Sequence, residues 1–205
     1  PPHPPPMSTP APSNPQTSKT IMSKVITPEA ILSYPHLFEP KIPEGQTEAV
    51  YSCALVFGPD VDLSEMKKVV GAVAKEKFGD KFEALLKAGK LRLPFRHDGE
   101  DKGYAEGSTF INVKSKQAPG IVSRYAGADG KPASIKDPSE IYAGAKVRAS
   151  LRAFAYDNNG NKGVSFALNN IQKLGDGARI DGRMKAEDEF EATESSPSDM
   201  DDLLG

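Results

Sequence analysis

The chain has 205 residues, 38% of them hydrophobic, which is enough for one core with additional loops and tails. No window approaches the roughly 18 consecutive apolar residues of a membrane span, and no apolar segment typical of a secretory signal is visible. The single cysteine, Cys53, excludes an intramolecular disulfide and fits a reducing cytoplasm. Because its neighbours in "VYSCALVF" are apolar, we expect Cys53 to be buried.

Charge is distributed unevenly along the chain, although the net charge is only −2. Residues 186–205 contain 8 of the 28 acidic residues and no Lys or Arg, so the preceding part holds 26 bases against 20 acids, about +6. This asymmetry indicates either a polyanion-binding body with an acidic appendage or a solubilising tail on an ordinary domain.

Three regions follow from composition. Residues 1–23 are rich in Pro, Ser and Thr and predict a disordered leader. Because the chain begins with Pro, we expect residues 1–6 to be non-native or to reflect processing. Residues 24–185 predict a single folded domain, and residues 186–205 predict a disordered acidic tail.

The first half of the domain predicts two strands followed by helix. The segment "VITPEAILSYPHLF" reads as an irregular or edge strand because prolines interrupt it, and residues 49–57 read as a regular strand. The apolar spacing after "GPD" predicts a helix with a capping-box-like start at Asp62 and Glu65 and a stop at Gly79. A short second helix is predicted over residues 80–88, and a loop over residues 89–107.

The second half predicts further strands. They lie at residues 108–116, at 143–156 and in "GVSFALNNIQK", with Asn159 and Gly160 as the favoured type I′ hairpin turn between the last two. The fold class is therefore all-β with an inserted helix. This order suits a small five-stranded barrel.

The hairpin has a predictable register. If Asn159-Gly160 is the turn, residues whose numbers sum to 319 face each other, so Leu151 lies opposite Leu168 and the apolar residues of the two strands meet on one face. The opposite face then carries large residues next to small ones, with Phe154 opposite Ser165, for example.

This second face predicts a binding surface. Alternation places three cations and two rings on it, and the strand 108–116 repeats the pattern. Uncovered rings stack on bases and cations hold phosphates, so the pattern favours single-stranded nucleic acid over duplex. The predicted binding residues are Phe110, Lys114, Lys116, Lys146, Arg148, Arg152, Phe154, Tyr156 and Lys173, the last expected opposite Lys146. The alternative is that Phe154 and Phe110 form a second small core under the 89–107 loop.

Catalytic motifs are missing from the sequence. "ALLKAGKL" and "GDGARIDGR" do not match phosphate-binding glycine patterns, and the three histidines with one cysteine form no zinc spacing. The acidic loop "HDGED" beside His97 reads as a solvated turn rather than a metal site. We therefore predict no catalysis, no metal and no organic cofactor.

The acidic tail ends in "SSPSDMDDLLG". The mixture of acidic and apolar residues at the tip predicts a docking peptide for partner proteins, or a segment that competes with DNA for the basic face. Plain disorder is the alternative. The residues concerned are Asp199, Met200, Asp201, Asp202, Leu203 and Leu204.

The sequence also resembles a known family, the bacteriophage single-stranded-DNA-binding proteins of the Enc34 type. The resemblance covers most of residues 24–190 and is carried by "AILSYPHLFEPK", "YSCALVF", "GSTFINVKSKQAPGIV", "IYAGAKVRASLRAFAYDNNGNKGVSFALNNIQKLGDG" and "AEDEF". It implies an OB-fold that coats single-stranded DNA in phage replication or recombination, without catalysis, in the host cytoplasm. It also implies recruitment of phage or host replication proteins by the acidic tail, although the tip "LLG" lacks the terminal Phe common in such tails.

Two other classes remain open from the sequence. One is a protein–protein adaptor in which the acidic tail is the active element. The other is a nuclease that uses "HDGED". Steep salt dependence of strand binding distinguishes a DNA-binding protein from an adaptor, and metal-dependent cleavage identifies a nuclease.

Overall fold

A computed structural model describes residues 2–4, 23–180 and 191–193. The predictions for the leader and for the acidic tail, including residues 199–204, therefore lie almost wholly outside the described residues. No helix in the described ranges is long and apolar enough to cross a membrane.

The described chain contains nine strands and two α-helices, which confirms a mostly β protein with one long helix. The strands are β1 (Lys24–Ile26), β2 (Ala30–Lys41), β3 (Val50–Phe57), β4 (Leu91–Arg92), β5 (Thr109–Ser115), β6 (Gly120–Ala126), β7 (Pro132–Ser134), β8 (Lys146–Asn158) and β9 (Asn161–Gly175). The helices are α1 (Ser64–Phe78) and α2 (Phe82–Lys87), and single 3₁₀ turns cover Gly79–Lys81, Gly99–Lys102 and Pro138–Glu140.

Five strands pair in a cycle. β2 pairs with β3, β3 with β5, β5 with β9 and β9 with β8, and β8 returns to Ala30 and Ile31 of β2. Further along β8, the neighbouring strand is β1 instead of β2. β4 and β6 add to β9 in parallel, and β7 extends β6. The inward side chains of these strands form the main apolar core.

Helix α1 covers this core with the face that its spacing predicts. Met66, Val70 and Val73 are buried, and the helix ends at Gly79, whose positive φ of 54° suits a glycine stop. The predicted capping box is wrong. Asp62 precedes the cap position and its Oδ1 accepts a hydrogen bond from the backbone N–H of Ser64 at 2.9 Å, and this bond lowers the pKa of the carboxyl.

The hairpin register is confirmed from the turn to Leu151, which pairs with Leu168. Asn159 and Gly160 both have positive φ, as a type I′ turn requires. Beyond Leu151 the register shifts, because Ser150 pairs with Asn170 and leaves Asn169 as an extra residue.

The shift overturns one predicted pairing. Lys173 lies opposite Val147, and Lys146 lies opposite Gly175, so the two lysines do not face each other. A register extrapolated from the turn holds only as far as the first bulge.

Strand β2 is irregular, as its prolines predict, but it is not simply an edge strand. Its first residues pair with β8 while its length pairs with β3, and the β3 pairing shifts twice, on either side of His36. Tyr34 lies at the first shift with a φ of +45°, a conformation that is costly for a residue with a Cβ.

Candidate nucleic-acid interface

One transverse row of residues crosses the outer surface of the sheet. The pairings join His36 to Ser52, Ser52 to Lys114, Lys114 to Ala167, Ala167 to Arg152 and Arg152 to Lys24. At about 4.8 Å per strand, these five steps span about 24 Å. We call this set the transverse row.

The transverse row presents cations separated by small residues. Lys24, Lys114 and Arg152 are exposed, and within the described ranges none of them forms an ion pair. Ala167 lies between Lys114 and Arg152, and Ser52 lies on the other side of Lys114. Their side chains are small and project little above the sheet. Two of these cations, Lys114 and Arg152, were predicted from the alternating pattern, and the pairing of each with Ala167 brings them to the same level.

A groove of about 430 Å³ lies over β2, β3 and β5 at one end of this row. Its lining joins an aromatic ring, an imidazole, a cation and small polar groups, contributed by Tyr34, His36, Pro43, Gln46, Val50, Ser52, Cys53, Ala54, Asn112, Val113, Lys114 and Ser165. Tyr34 is 57% exposed, so much of its ring is open to solvent.

Tyr34 was not predicted as a functional residue. The proline after it made "SYPHLF" read as an interrupted strand, and its positive φ breaks the alternation, since Leu32 and Ser33 are both buried. The available signal was an aromatic residue just before a proline inside an otherwise apolar strand.

Phe110 is not an exposed ring, and that prediction is wrong. Its side chain is fully buried. The Tyr104 ring packs edge-on against it with 5.4 Å between the ring centroids, and the Arg96 guanidinium lies 5.4 Å from the centroid of the Phe110 ring. The Tyr104 hydroxyl donates a hydrogen bond to Ser33 Oγ at 2.8 Å, which connects the 89–107 loop to β2. For Phe110, the alternative of a second small core is therefore correct.

The same loop supplies a cation beside the groove. Lys102 Nζ lies 5.6 Å from the centroid of the Tyr34 ring and 6.0 Å from that of Phe110. A cation at this distance is attracted to the face of an aromatic ring. Lys102 is exposed and is a further candidate for contact with phosphate.

Phe154 and Tyr156 are half-buried on β8. Phe154 lies opposite Ser165, and in the described part of the chain it belongs to neither of the two buried apolar clusters. Tyr156 lies across Gly163, where an added Cβ would come within 2.6 Å of the Tyr156 hydroxyl. Both rings therefore lie on the outer side of β8, which β9 separates from β5 and the groove.

The other predicted cations are dispersed. Lys116 pairs with Glu48 at 3.2 Å, and Arg148 Nε donates to Gln172 Oε1 at 2.7 Å. Lys146 is exposed at the start of β8. Lys173 is only 17% exposed and pairs with Asp176 at 2.9 Å, with its ammonium 5.5 Å from the Tyr142 ring centroid. The structure thus brings Lys114 and Arg152 together, but not all nine predicted residues.

The acidic loop near His97 is engaged internally. Asp98 pairs with Arg96 at 2.9 Å, and this hydrogen bond lowers the pKa of the Asp98 carboxyl. His97 Nδ1 lies 3.2 Å from Thr109 Oγ1. Across residues 2–4, 23–180 and 191–193, no group of three or more His, Cys, Asp or Glu side chains could hold a metal ion.

Cys53 is buried as predicted. Desolvation raises the pKa of its thiol to about 12, so the group is uncharged at neutral pH.

Comparisons with known proteins identify the family of this chain. The family described as the single-stranded-DNA-binding protein of Enterobacter phage Enc34 matches residues 23–203. The protein p50 of Acyrthosiphon pisum secondary endosymbiont phage 1 is 31% identical over 186 residues, which cover 84% of this chain and 94% of that protein.

Two solved structures share the fold. The single-stranded DNA-binding protein of bacteriophage Enc34, in complex with single-stranded DNA, superimposes with a TM-score of 0.59 at 22% identity, over 77% of this chain and 89% of that one. The single-stranded DNA-binding protein gp2.5 of bacteriophage T7 gives a TM-score of 0.56 at 14% identity, over 80% and 98% of the two chains. The resemblance seen in the sequence is thereby confirmed: this chain belongs to the family of the Enterobacter phage Enc34 single-stranded-DNA-binding protein.

Proposed function

We propose that this protein binds single-stranded DNA across the transverse row and the adjoining groove, with little dependence on base sequence. The observation that carries the proposal is the joining of an exposed ring with cations that form no ion pair among the described residues: Lys114 and Arg152 flank Ala167, and Tyr34 opens into the groove that Lys114 also lines. Membership of the phage family supports the same conclusion.

The chemistry favours a single strand over a duplex. A base exposes its π-face to an aromatic side chain only when it is unpaired, and each such stack contributes about 1–3 kcal/mol. The row spans about 24 Å, which corresponds to about seven nucleotides at the 3.4 Å spacing of a stacked strand. That length lies within the roughly 4–16 nucleotides that one OB-fold occupies.

The cycle of β2, β3, β5, β9 and β8 supports an OB-fold barrel as the scaffold. In this proposal the five strands close through the short β2–β8 pairing at Ala30 and Ile31. The transverse row runs at the level of Arg152, where β1 rather than β2 lies beside β8, so its two ends do not meet.

The protein's role, in this proposal, is to coat and protect single strands during phage DNA replication or recombination in the cytoplasm of the infected host. It acts without catalysis. The 8 acidic residues of the tail, residues 186–205, compete with DNA for the basic row at low salt and recruit phage or host replication proteins through the apolar–acidic tip.

The test is fluorescence anisotropy of a labelled oligo(dT) of about 30 nucleotides against a duplex of equal length, at several salt concentrations, for residues 1–205 and 1–185. We expect single-strand binding that weakens steeply with salt, and tighter binding without the tail. Absence of single-strand binding by both proteins would contradict the proposed function.

A matched pair of variants tests the row itself. Lys114→Gln combined with Arg152→Gln removes two phosphate contacts and should reduce the slope of log K against log salt by about 1.4. The control is Lys67→Gln combined with Lys87→Gln, since these two lysines are exposed on α1 and α2. The control should keep the wild-type slope, and an equal reduction by both pairs would show that the charge effect is not local to the row.

A further inference from the structure

A second concave site lies at the far end of the transverse row. It is a cleft of about 640 Å³, and its lining residues come from β1, from β8 and β9, and from the segment that follows β5. β1 contributes Lys24, Val25 and Ile26 along one side, and residues 115–118 contribute Ser115, Gln117 and Ala118. We propose that this cleft binds one nucleotide of the same DNA strand, with its base inside and its phosphates on Lys24 and Arg152.

The bulge in β9 points to a built site. Asn169 is the extra residue between Leu168, which pairs with Leu151, and Asn170, which pairs with Ser150, and Asn169 lines the cleft. Its neighbour Asn170 is committed elsewhere, since its Oδ1 accepts the Gly120 N–H at 3.0 Å. Bulges redirect side chains and are frequent beside functional sites.

The amide of Asn169 is available to a ligand. Within the described ranges it makes no side-chain hydrogen bond, and the same holds for the side-chain amide of Gln117. An amide offers both a donor and an acceptor, which matches the mixed edge of an unpaired base. Two such amides in one cleft fit a nucleobase better than they fit a purely anionic or apolar ligand.

The cleft also has apolar and positively charged groups that suit the other parts of a nucleotide. Ile26 is 63% exposed and lines the cleft, so its apolar side chain offers a contact surface for the face of a base or a sugar. Lys24 and Arg152 are paired neighbours on β1 and β8 and carry no ion pair within the described part of the chain. Arg152 also belongs to the transverse row, so a strand on the row reaches the cleft without leaving the surface.

This inference rests on the proposed function and extends it to a nucleotide pocket. The test is equilibrium binding of full-length protein to labelled oligo(dT) of about 12 nucleotides, with thermal unfolding to verify each fold. Ile26→Glu should weaken binding at least tenfold, because it places a carboxylate where the base lies. Leu86→Glu is the control, since Leu86 is 42% exposed on α2 and lies away from the cleft lining, and it should change binding less than twofold.

A second variant separates the amides from general charge effects. Asn169→Leu should weaken binding about three- to tenfold and leave the salt slope unchanged, because it removes hydrogen bonds but no phosphate contact. Gln117→Ala gives the same readout from the segment after β5 if Asn169→Leu lowers the unfolding temperature.

Each outcome decides between the two proposals. Wild-type affinity for Ile26→Glu and for the amide variants, together with weakened binding by Lys114→Gln, would leave the proposed function intact and overturn the cleft. Weakened binding by the cleft variants, with Leu86→Glu unchanged, supports the nucleotide pocket. Absence of binding by the wild-type protein would overturn both.

Discussion

Replacement of Tyr34 by glycine should separate binding from folding. The ring is 57% exposed in the groove, where the proposed function places one stacked base, so its removal should raise the Kd for single-stranded DNA by about 5- to 150-fold, the equivalent of about 1–3 kcal/mol. The free energy of unfolding should stay the same or increase. The φ of +45° destabilises the folded state by about 1–2 kcal/mol for a residue with a Cβ, but by little for glycine. Against this, the greater conformational entropy of glycine favours the unfolded state by about 0.4–1 kcal/mol.

The assay combines anisotropy at fixed salt with thermal unfolding of the same samples. Tyr34→Phe keeps the ring and should bind within about threefold of wild type, which distinguishes stacking from hydrogen bonding by the hydroxyl. Wild-type affinity in the glycine variant would refute the assignment of Tyr34 as a stacking platform. A large fall in its unfolding temperature would refute the strain argument instead.

Two further predictions concern the scaffold. Gly163→Ala should lower the unfolding temperature, because the new Cβ would lie 2.6 Å from both Arg92 O and the Tyr156 hydroxyl. Gly71→Ala in α1 is the matched control, since a Cβ there meets open space and should stabilise the protein by up to about 1 kcal/mol. Cys53 should resist alkylation in the folded protein at pH 8 and react after denaturation, because burial raises its pKa to about 12, and rapid labelling of the native state would contradict this. Since the folded pKa lies above the ordinary value of about 8.5, the stability that this thiol contributes is complete below that pH and declines as the pH rises towards 12.

The sequence predicted the hairpin well because its evidence is local. Alternation and the Asn159-Gly160 turn together determine which residues face each other, and Phe154 lies opposite Ser165 as expected. The prediction for Lys173 was wrong because a bulge carries no clear signal in one sequence. A single extra residue, Asn169, changes the pairing of everything beyond it.

Phe110 shows a different limit. Alternation correctly placed it on the outer side of β5, together with Asn112 and Lys114, but it did not reveal that a loop covers one end of that side. The loop is held there by contacts between residues distant in sequence, which include the hydrogen bond between Tyr104 and Ser33 and the backbone hydrogen bonds between Arg96 and Phe110. Tyr34 was missed for a related reason, since its exposure follows from one unusual backbone angle and not from the period of the strand.

Strand β9 has a consequence for how the chain reaches its native state. It pairs with β8, β5, β6 and β4, and three of these pairings are parallel and join positions far apart in sequence. Contacts of this kind are formed late and slowly, because long loops must close before they contribute. During synthesis, β4 and one edge each of β5 and β6 stay without their partner until residues 162–173 have been made. We therefore expect nascent chains that stop before β9 to expose unpaired strand edges and to aggregate.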